Sequence, residues 1–380
     1  MDRKGLPKDE VMRLVSGMKE LDISFGSGRI FGSMCTSPHP IAAEVDGMFL
    51  ESNLGNPGLY PGTLEMEQEI ISMLGSLLHL DRIYGHVLSG GTEANITALY
   101  RAKKITGKKK VIFSASAHFS VLKALSLLDM EPVMIPLDED FRMDVQQMED
   151  HLDDEAALVL SVAGTTELGV VDPVDRIGSI TGDVPLHVDA AFGGFVLPFL
   201  ETLHPGDHRI PPWDFRVKEV TSLSVDPHKM GGSTIPAGCL LFREEAPLKH
   251  ISVSSPYLTS TKAYTLAGTR DSGAVAAAYA VMKHLGREGY ERIVAACMDN
   301  TSYLEKRLRE LGLEPVIEPV MNILAVHHPD PDLVQERMRK RGFFLSRVRD
   351  PPALRFVVMP HVTRASIDVM IPELEGALKD

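Results

Sequence analysis

Cysteine is scarce: Cys35, Cys239 and Cys297 are the only three in 380 residues. They are odd in number and far apart, which frames neither a disulfide set nor a zinc site, so a reducing, cytoplasmic setting without a metal is expected. Positive charge is in deficit. Against 39 lysines and arginines stand 52 aspartates and glutamates, a formal net charge of −13, and such a field repels nucleic acid and anionic membranes. Any anion the chain binds must be held by local groups. Long apolar runs are missing as well. Ala274 to Met282 is the longest, well short of a bilayer span, and the opening MDRKGLPKDEVMRL lacks the apolar core of a signal peptide. Neither a membrane nor nucleic acid is expected as a partner, and there is no internal repeat or low-complexity tract.

What is present suits a globular chain of about two domains, since 44% apolar content is enough for a substantial core. Apolar spacing predicts an amphipathic helix over Asp9 to Lys19, followed by a glycine-rich stretch, FGSGRIFGS, expected to be an irregular arm. SPHP and NPGLYPGT are loops by their proline and glycine content, and Thr63 is the expected cap of a helix running from Leu64 to Leu80. From Gly85 onward, strand-like runs (GHVLSG, KVIFSA, PVMIPL, AALVLSVAG, PLHVD, VTSLSV, GCLLF) alternate with helical ones. That alternation predicts an α/β fold with an open, mostly parallel sheet covered on both faces, where ligands gather beyond the carboxyl ends of the strands. Gly286 interrupts a long alanine-rich helix and marks the expected junction with a small α+β domain, giving segments 1–50, 51–286 and 287–380.

The candidate chemistry lies at those strand ends. In TSLSVDPHKMGG, Lys229 sits in a turn just past a β-branched run; in LHVDAAFGG, Asp189 ends a strand and is followed by small residues, Ala191 among them, that let a flat ligand approach the backbone. Either residue alone reads as a surface lysine or a turn aspartate. Together they are the amine and carboxylate a pyridoxal phosphate site needs, one for the Schiff base and one to hold the ring nitrogen protonated. Desolvation and the nearby cofactor are expected to lower the lysine pKa enough to free a nucleophilic amine. SGGTEAN places glycines and a hydroxyl between a strand and a helix, so the N–H of Gly91 and the N–H and hydroxyl of Thr92 can meet a phosphate. It is not a P-loop, because that motif's lysine and second glycine are absent. His118 follows a strand and can stack on a ring or simply be a buried histidine. Thr165 and Thr166 offer hydroxyls beside it, and His228 can contact phosphate or move a proton.

Taken in order, SPHP, NPGLYPGTLEME, SGGTEAN, HFSVLKA, GTTELG, HVDAAFGG, SVDPHKMG and GTRDSGA cover almost the whole chain. They resemble the group II pyridoxal phosphate-dependent decarboxylases, of the aspartate aminotransferase-like fold (fold type I), most closely the archaeal tyrosine/aspartate decarboxylases. The resemblance implies that Lys229 carries the cofactor, Asp189 meets its ring nitrogen, His118 stacks on it, Thr92 binds its phosphate and Thr166 lies beside the ring. It further implies that Arg355 meets a substrate carboxylate. By the same resemblance, Tyr257, on a loop between Phe242 and Gly268, would protonate the product carbon, with Tyr264 or His228 as alternatives. Thr269, in GTRDSGA, would complete the phosphate site of a neighbouring subunit, making the expected assembly a homodimer with shared sites. His39 and Tyr60, in the SPHP and NPGLYPG loops, are candidate substrate contacts. The implied reaction is α-decarboxylation of L-tyrosine to tyramine, serving methanofuran synthesis, or of L-aspartate to β-alanine, serving coenzyme A synthesis.

Two rivals share this scaffold. A carbon–carbon lyase resembling sphingosine-phosphate lyase, or a sulfur-handling enzyme of tRNA-dependent cysteine synthesis, is the first; the lyase should carry extra basic residues for a second phosphate or a membrane helix. A non-catalytic protein of the same fold is the second, and it should have lost Lys229 or Asp189.

Overall fold

Short aliphatic and β-branched runs pair into one large sheet, and the helices between them cover it. The fold is taken from a computed structural model, which describes residues 1, 3–245, 249–260 and 262–379. The chain opens with helices α1 (Lys8–Lys19), α2 (Pro40–Asp46) and α3 (Pro61–Leu77). The alternating part follows as β1 (Tyr84–Leu88), α4 (Gly91–Thr106), β2 (Lys110–Ser114), α5 (Ser120–Leu128), β3 (Glu131–Ile135), α6 (Val145–His151) and β4 (Ala156–Val162). It continues with α7 (Val174–Thr181), β5 (Leu186–Asp189), α8 (Leu197–Leu203), β6 (Val220–Val225) and β7 (Gly238–Phe242). These seven strands form a sheet in the order β1-β7-β6-β5-β4-β2-β3. Only β7 runs against its neighbours, on both sides; the pairs β2–β3, β2–β4, β4–β5 and β5–β6 are parallel. Every residue of β4 is buried, as expected of a central strand covered on both faces.

Beyond the sheet lie a short hairpin, β8 (Val253–Ser254) with β9 (Lys262–Ala263), and the long helix α9 (Ser272–Glu310). Asp271 caps α9 by accepting from the Ala274 N–H at 3.0 Å. Gly286 breaks it with φ 55 and ψ −171, outside the helical region. The remainder is a second, antiparallel sheet of β10 (Ile323–His327), β11 (Ser346–Val348) and β12 (Ala353–Val357) in the order β10-β12-β11, with α10 (Pro331–Lys340) and α11 (Arg364–Lys379).

One local expectation changes. Thr63 is not a cap: Pro61, whose missing N–H costs nothing at a helix start, opens α3, and Thr63 is buried inside it. The glycine-rich stretch is largely irregular and packs on its own chain, where Ile30 bridges to Phe344 and Phe31 is buried in the core of the small sheet. Strand β11 was not anticipated, since three residues are too few to display a period of two. By contrast α1 buries no residue, and its Val11, Leu14, Val15 and Met18 all face outward.

Candidate active site

The parallel strands end on one edge, and the turns leaving them converge on a cavity of about 460 Å³. Of the expected residues, Gly91, Thr92, His118, Thr166, Asp189, Ala191, His228 and Lys229 all line it. They come from the ends of β1, β2, β4, β5 and β6, so the topology alone gathers them.

At the end of β1 the chain enters α4 through Gly90, whose φ of 138 suits glycine and little else. The first helical bond runs from the Ala94 N–H to the Gly90 carbonyl (3.0 Å), so the amides of Gly91, Thr92 and Glu93 precede it and lie at the positive end of the helix dipole. A Cβ on Gly91 would come 3.0 Å from the Ala191 Cβ and 3.1 Å from Asp226 Oδ2, so a side chain would crowd this cradle. Glu93 reaches back to accept from the Ser89 N–H (2.8 Å) and hydroxyl (2.7 Å), fixing the turn. A small anion fits here.

Asp189 is buried at the end of β5 and accepts from Asn95 Nδ2 at 2.7 Å, the Ala191 N–H at 3.0 Å and the Ser224 hydroxyl at 3.2 Å. A carboxylate has about four acceptor sites, so room remains for one more donor from a ligand. His118 packs 4.0 Å from Phe119, centroid to centroid, and its Nδ1 accepts from the Ser120 N–H at 3.2 Å. Burial lowers its pKa below the ordinary histidine value; Asp189 opposes the shift and Lys229 adds to it, leaving a neutral ring at pH 7. His228 turns Nδ1 to the Ala237 carbonyl and Nε2 toward Asp226, 3.9 Å away.

Lys229 is 19% exposed, and its Nζ lies 3.1 Å from Asp226 Oδ2. Burial pulls its pKa down, but the charges of Asp226 and then Asp189 outweigh burial and leave it above the ordinary lysine value. The amine is therefore protonated when the site holds no ligand. Asp226 Oδ1 is buried with no hydrogen-bond partner among the described residues. A covalent anchor, a helix end for an anion, an open carboxylate and a flat imidazole together match the groups of pyridoxal phosphate.

Other expected residues are not in this wall. Thr269 lines a neighbouring cavity of about 560 Å³ that shares Ser89 and Glu93 with the first. Arg270 beside it is tied to buried Glu67 and to the Val87 carbonyl. Thr165 instead accepts from the Val170 N–H at 3.1 Å. Tyr257 is 86% exposed, on a loop whose positions 246–248 and 261 lie outside the described residues. Tyr264 stacks on His86, and His39 faces His284 near the start of α2. Tyr60 donates to the Glu51 carbonyl at 3.3 Å. Arg355 is 5% exposed on β12; its Nη1 donates to Ser346 Oγ (2.9 Å) and the Gly32 carbonyl (3.3 Å), while Nε and Nη2 lack partners among the described residues. Burial lowers its pKa to about 10 against the pull of Glu167, so it remains charged at neutral pH.

Sequence reasoning passed over Asn95 and Asp226. Asp226 stands three residues before Lys229, a spacing at which side chains on a turn meet, and Asn95 closes the SGGTEAN motif one turn into α4.

Comparison with known proteins adds a second line of support. Residues 31–326 match the family model described as the pyridoxal-dependent decarboxylase conserved domain. A "Probable L-tyrosine/L-aspartate decarboxylase" of Methanothrix thermoacetophila is 45% identical over 99% of this chain and 97% of its own. A "Probable L-aspartate decarboxylase" of Archaeoglobus fulgidus is 40% identical over 97% of this chain and 100% of its own. Among solved structures, a Burkholderia pseudomallei sphingosine-1-phosphate lyase superposes with a TM-score of 0.91 at 27% identity, covering 100% of this chain and 92% of that one. A Lactobacillus brevis glutamate decarboxylase does so at 0.88 and 22%, covering 100% and 94%, a likeness of fold. With the family model spanning most of the chain and relatives above 40% identity from end to end, the chain belongs to the pyridoxal-dependent decarboxylases.

Proposed function

We propose that this enzyme removes the α-carboxylate of L-tyrosine, L-aspartate or both, yielding tyramine or β-alanine. The observation that carries the reading is the meeting of Lys229 and Asp189 in one cavity, on a chain whose full-length relatives are described as decarboxylases of these amino acids. In the reaction, the bond between the α-carbon and its carboxylate breaks, carbon dioxide leaves, and a proton is delivered to the same carbon.

When bound, pyridoxal phosphate supplies the electron sink for the pair left by the departing carboxylate. Lys229 would hold the cofactor through its amine, and the Asp189 carboxylate would meet the ring nitrogen and keep it protonated. The neutral imidazole of His118 would stack on the ring, with Thr166 and Ala191 beside it. The amides of Gly91 and Thr92 would hold the phosphate, joined by Thr269 of a neighbouring subunit. Arg355 grips a substrate carboxylate through its free Nε and Nη2, a charge-assisted contact that orients the bond to be broken. Among the three proton donors considered, His228 is favoured because it lines the cavity, whereas Tyr257 points to solvent within one chain. His39 and Tyr60 are kept as contacts of a substrate side chain reaching across the subunit boundary.

A homodimer is supported by α1, whose outward apolar residues, Met18 at 68% exposure among them, have no cover within one chain. We place the division of the chain at 1–50, 51–286 and 287–380, with Gly286 as the hinge point, and the protein in the cytoplasm with its cysteines free. No helix among the described residues is long and apolar enough to cross a membrane.

Carbon dioxide release from each standard L-amino acid, with the amine identified by mass spectrometry, tests the reaction. Release from tyrosine or aspartate is expected. Release from neither, together with cleavage of a phosphorylated amino alcohol, would move the reading to the lyase. Borohydride reduction and peptide mapping test the anchor, with the pyridoxyl label expected on Lys229. Light scattering at low concentration tests the dimer, and a fully active monomer would refute it.

A further inference from the structure

His187 and Asp189 lie on the same face of β5, because side chains two apart in a strand point the same way. The parallel register sets them beside Ser222 and Ser224 of β6. Asn95, buried on α4, closes the group from above. Its Nδ2 donates to Asp189 Oδ2 at 2.7 Å and to the Ser120 hydroxyl at 3.2 Å, and its Oδ1 lies 3.1 Å from His187 Nε2. His187 Nδ1 lies 2.9 Å from the Ser222 hydroxyl.

The hydrogen-bond polarity of this group is forced. An ionised carboxylate only accepts, so the amide must present its N–H₂ to Asp189, which turns its oxygen to His187. That oxygen also lies 3.2 Å from the Ser224 hydroxyl, and because it is an acceptor, the His187 Nε2 that faces it must carry the ring's proton. Its Nδ1 is then an acceptor, supplied by the Ser222 hydroxyl. Burial holds His187 in this neutral state, pushing its pKa to about 4 against the opposing pull of Asp189, with the charge of Arg101 assisting burial. The second N–H of Asn95 reaches Ser120, whose backbone N–H donates to His118 Nδ1 at 3.2 Å. One amide thus connects the carboxylate that meets the ring nitrogen and the imidazole that covers the ring.

We propose that Asn95 is the positioning residue of the cofactor cradle, holding the Asp189 carboxylate and the His118 ring in one geometry, with His187 fixing the orientation of its amide. The proposal rests on the pyridoxal phosphate reading of this cavity. A group with this role acts through orientation, so its loss should weaken cofactor binding and change the asymmetry of the bound chromophore, effects that a merely space-filling asparagine would not produce.

The test uses the purified holoenzyme and four variants: Asn95→Leu, which removes both amide functions at similar volume; Asn95→Asp, which sets an acceptor against Asp189; His187→Gln, which keeps an N–H donor; and His187→Leu. The readouts are the pyridoxal phosphate dissociation constant, visible circular dichroism of the bound cofactor, and thermal unfolding of the apoprotein. Both Asn95 variants should fold, bind the cofactor about tenfold more weakly or worse, as expected for loss of a buried bond to a charge, and show altered visible dichroism. His187→Gln should stay close to wild type, and His187→Leu should resemble Asn95→Leu. Folded Asn95 variants with unchanged affinity and dichroism overturn the proposal. If the Asn95 variants do not fold, the two His187 variants decide, and equal affinities in them overturn it. A wild-type protein with no visible chromophore after incubation with pyridoxal phosphate overturns the cofactor reading itself and this proposal with it.

Discussion

The strand-end edge of the large sheet and the segment that carries the exposed Tyr257, Leu266 and Thr269 solve opposite problems. On the edge, Asp189, Lys229, Asn95 and His187 are buried or nearly so, and each has a named partner. On the segment, Tyr257 is 86% exposed, Leu266 faces solvent, and Thr269 looks into a cavity of its own. Burying a charge or an amide is costly unless it is paired, so the edge can be assembled only as a complete set. The exposed side chains of the segment carry no such constraint and are free to serve a surface outside their own chain. One chain by itself gathers Lys229, Asp189, His118 and Gly91 around one cavity, and the exposed remainder fits the boundary of the proposed dimer.

The edge half of this contrast is broken most directly at Lys229. Lys229→Ala should reduce carbon dioxide release by at least about a thousandfold, because the covalent anchor is lost. Near-normal turnover would remove Lys229 from the chemistry. Asp189→Asn keeps the shape while deleting the charge and one of the two acceptor oxygens, and should cost about a hundredfold in kcat with the cofactor still bound. Arg355 sharpens the comparison, since it is buried like the edge yet two of its donors have no partner among the described residues. Arg355→Lys loses the planar fork, so kcat/KM should fall about tenfold or more, measured with tyrosine and aspartate in parallel. An unchanged value with both would leave Arg355 a structural residue.

A smaller effect concerns pH. The raised pKa of Lys229 means that its amine is protonated in the empty site at neutral pH, while cofactor attachment needs the neutral amine. Reconstitution of apoprotein with pyridoxal phosphate should therefore accelerate as pH rises. Asp226→Asn removes the larger of the two raising charges, so the accelerating limb should move to lower pH in stopped-flow absorbance. A shift to higher pH would contradict the ion pair. In stability terms the same pair contributes fully below the ordinary lysine pKa and is lost as pH rises through the raised one. The smallest effect is expected at Tyr257: with its hydroxyl in solvent, Tyr257→Phe should leave turnover within about twofold of wild type. A loss above about tenfold would join the exposed segment to a site across the subunit boundary and identify the proton donor there.

Much of the edge was legible without coordinates because each element of it is local. Lys229 follows a β-branched run, Asp189 ends another, and SGGTEAN is a strand-turn-helix signal in a few residues. The resemblance to a known family then named their partners. Asn95 and Asp226 escaped because neither advertises chemistry: an asparagine one turn into a helix and an aspartate before a proline are ordinary in themselves. Their roles exist only where β5, β6 and α4 are packed. The pKa of Lys229 escaped for a related reason. Its direction is a contest between burial and two carboxylates, and the sequence shows the groups but not the 3.1 Å that decides it.

The order of motifs, the alternation of strand and helix and the side-chain chemistry of the cradle were determined by the sequence alone, since propensity, periodicity and covalent chemistry are properties of neighbouring residues. Tertiary structure decided which hydroxyl faces the cavity, Thr166 and not Thr165, and that Arg355 keeps two free donors. It also decided that Phe31 belongs to the small-sheet core while α1 is left bare. Each of these is a matter of distance and burial between segments remote in the chain, and distance between remote segments is set only when the sheet closes and the helices pack on it.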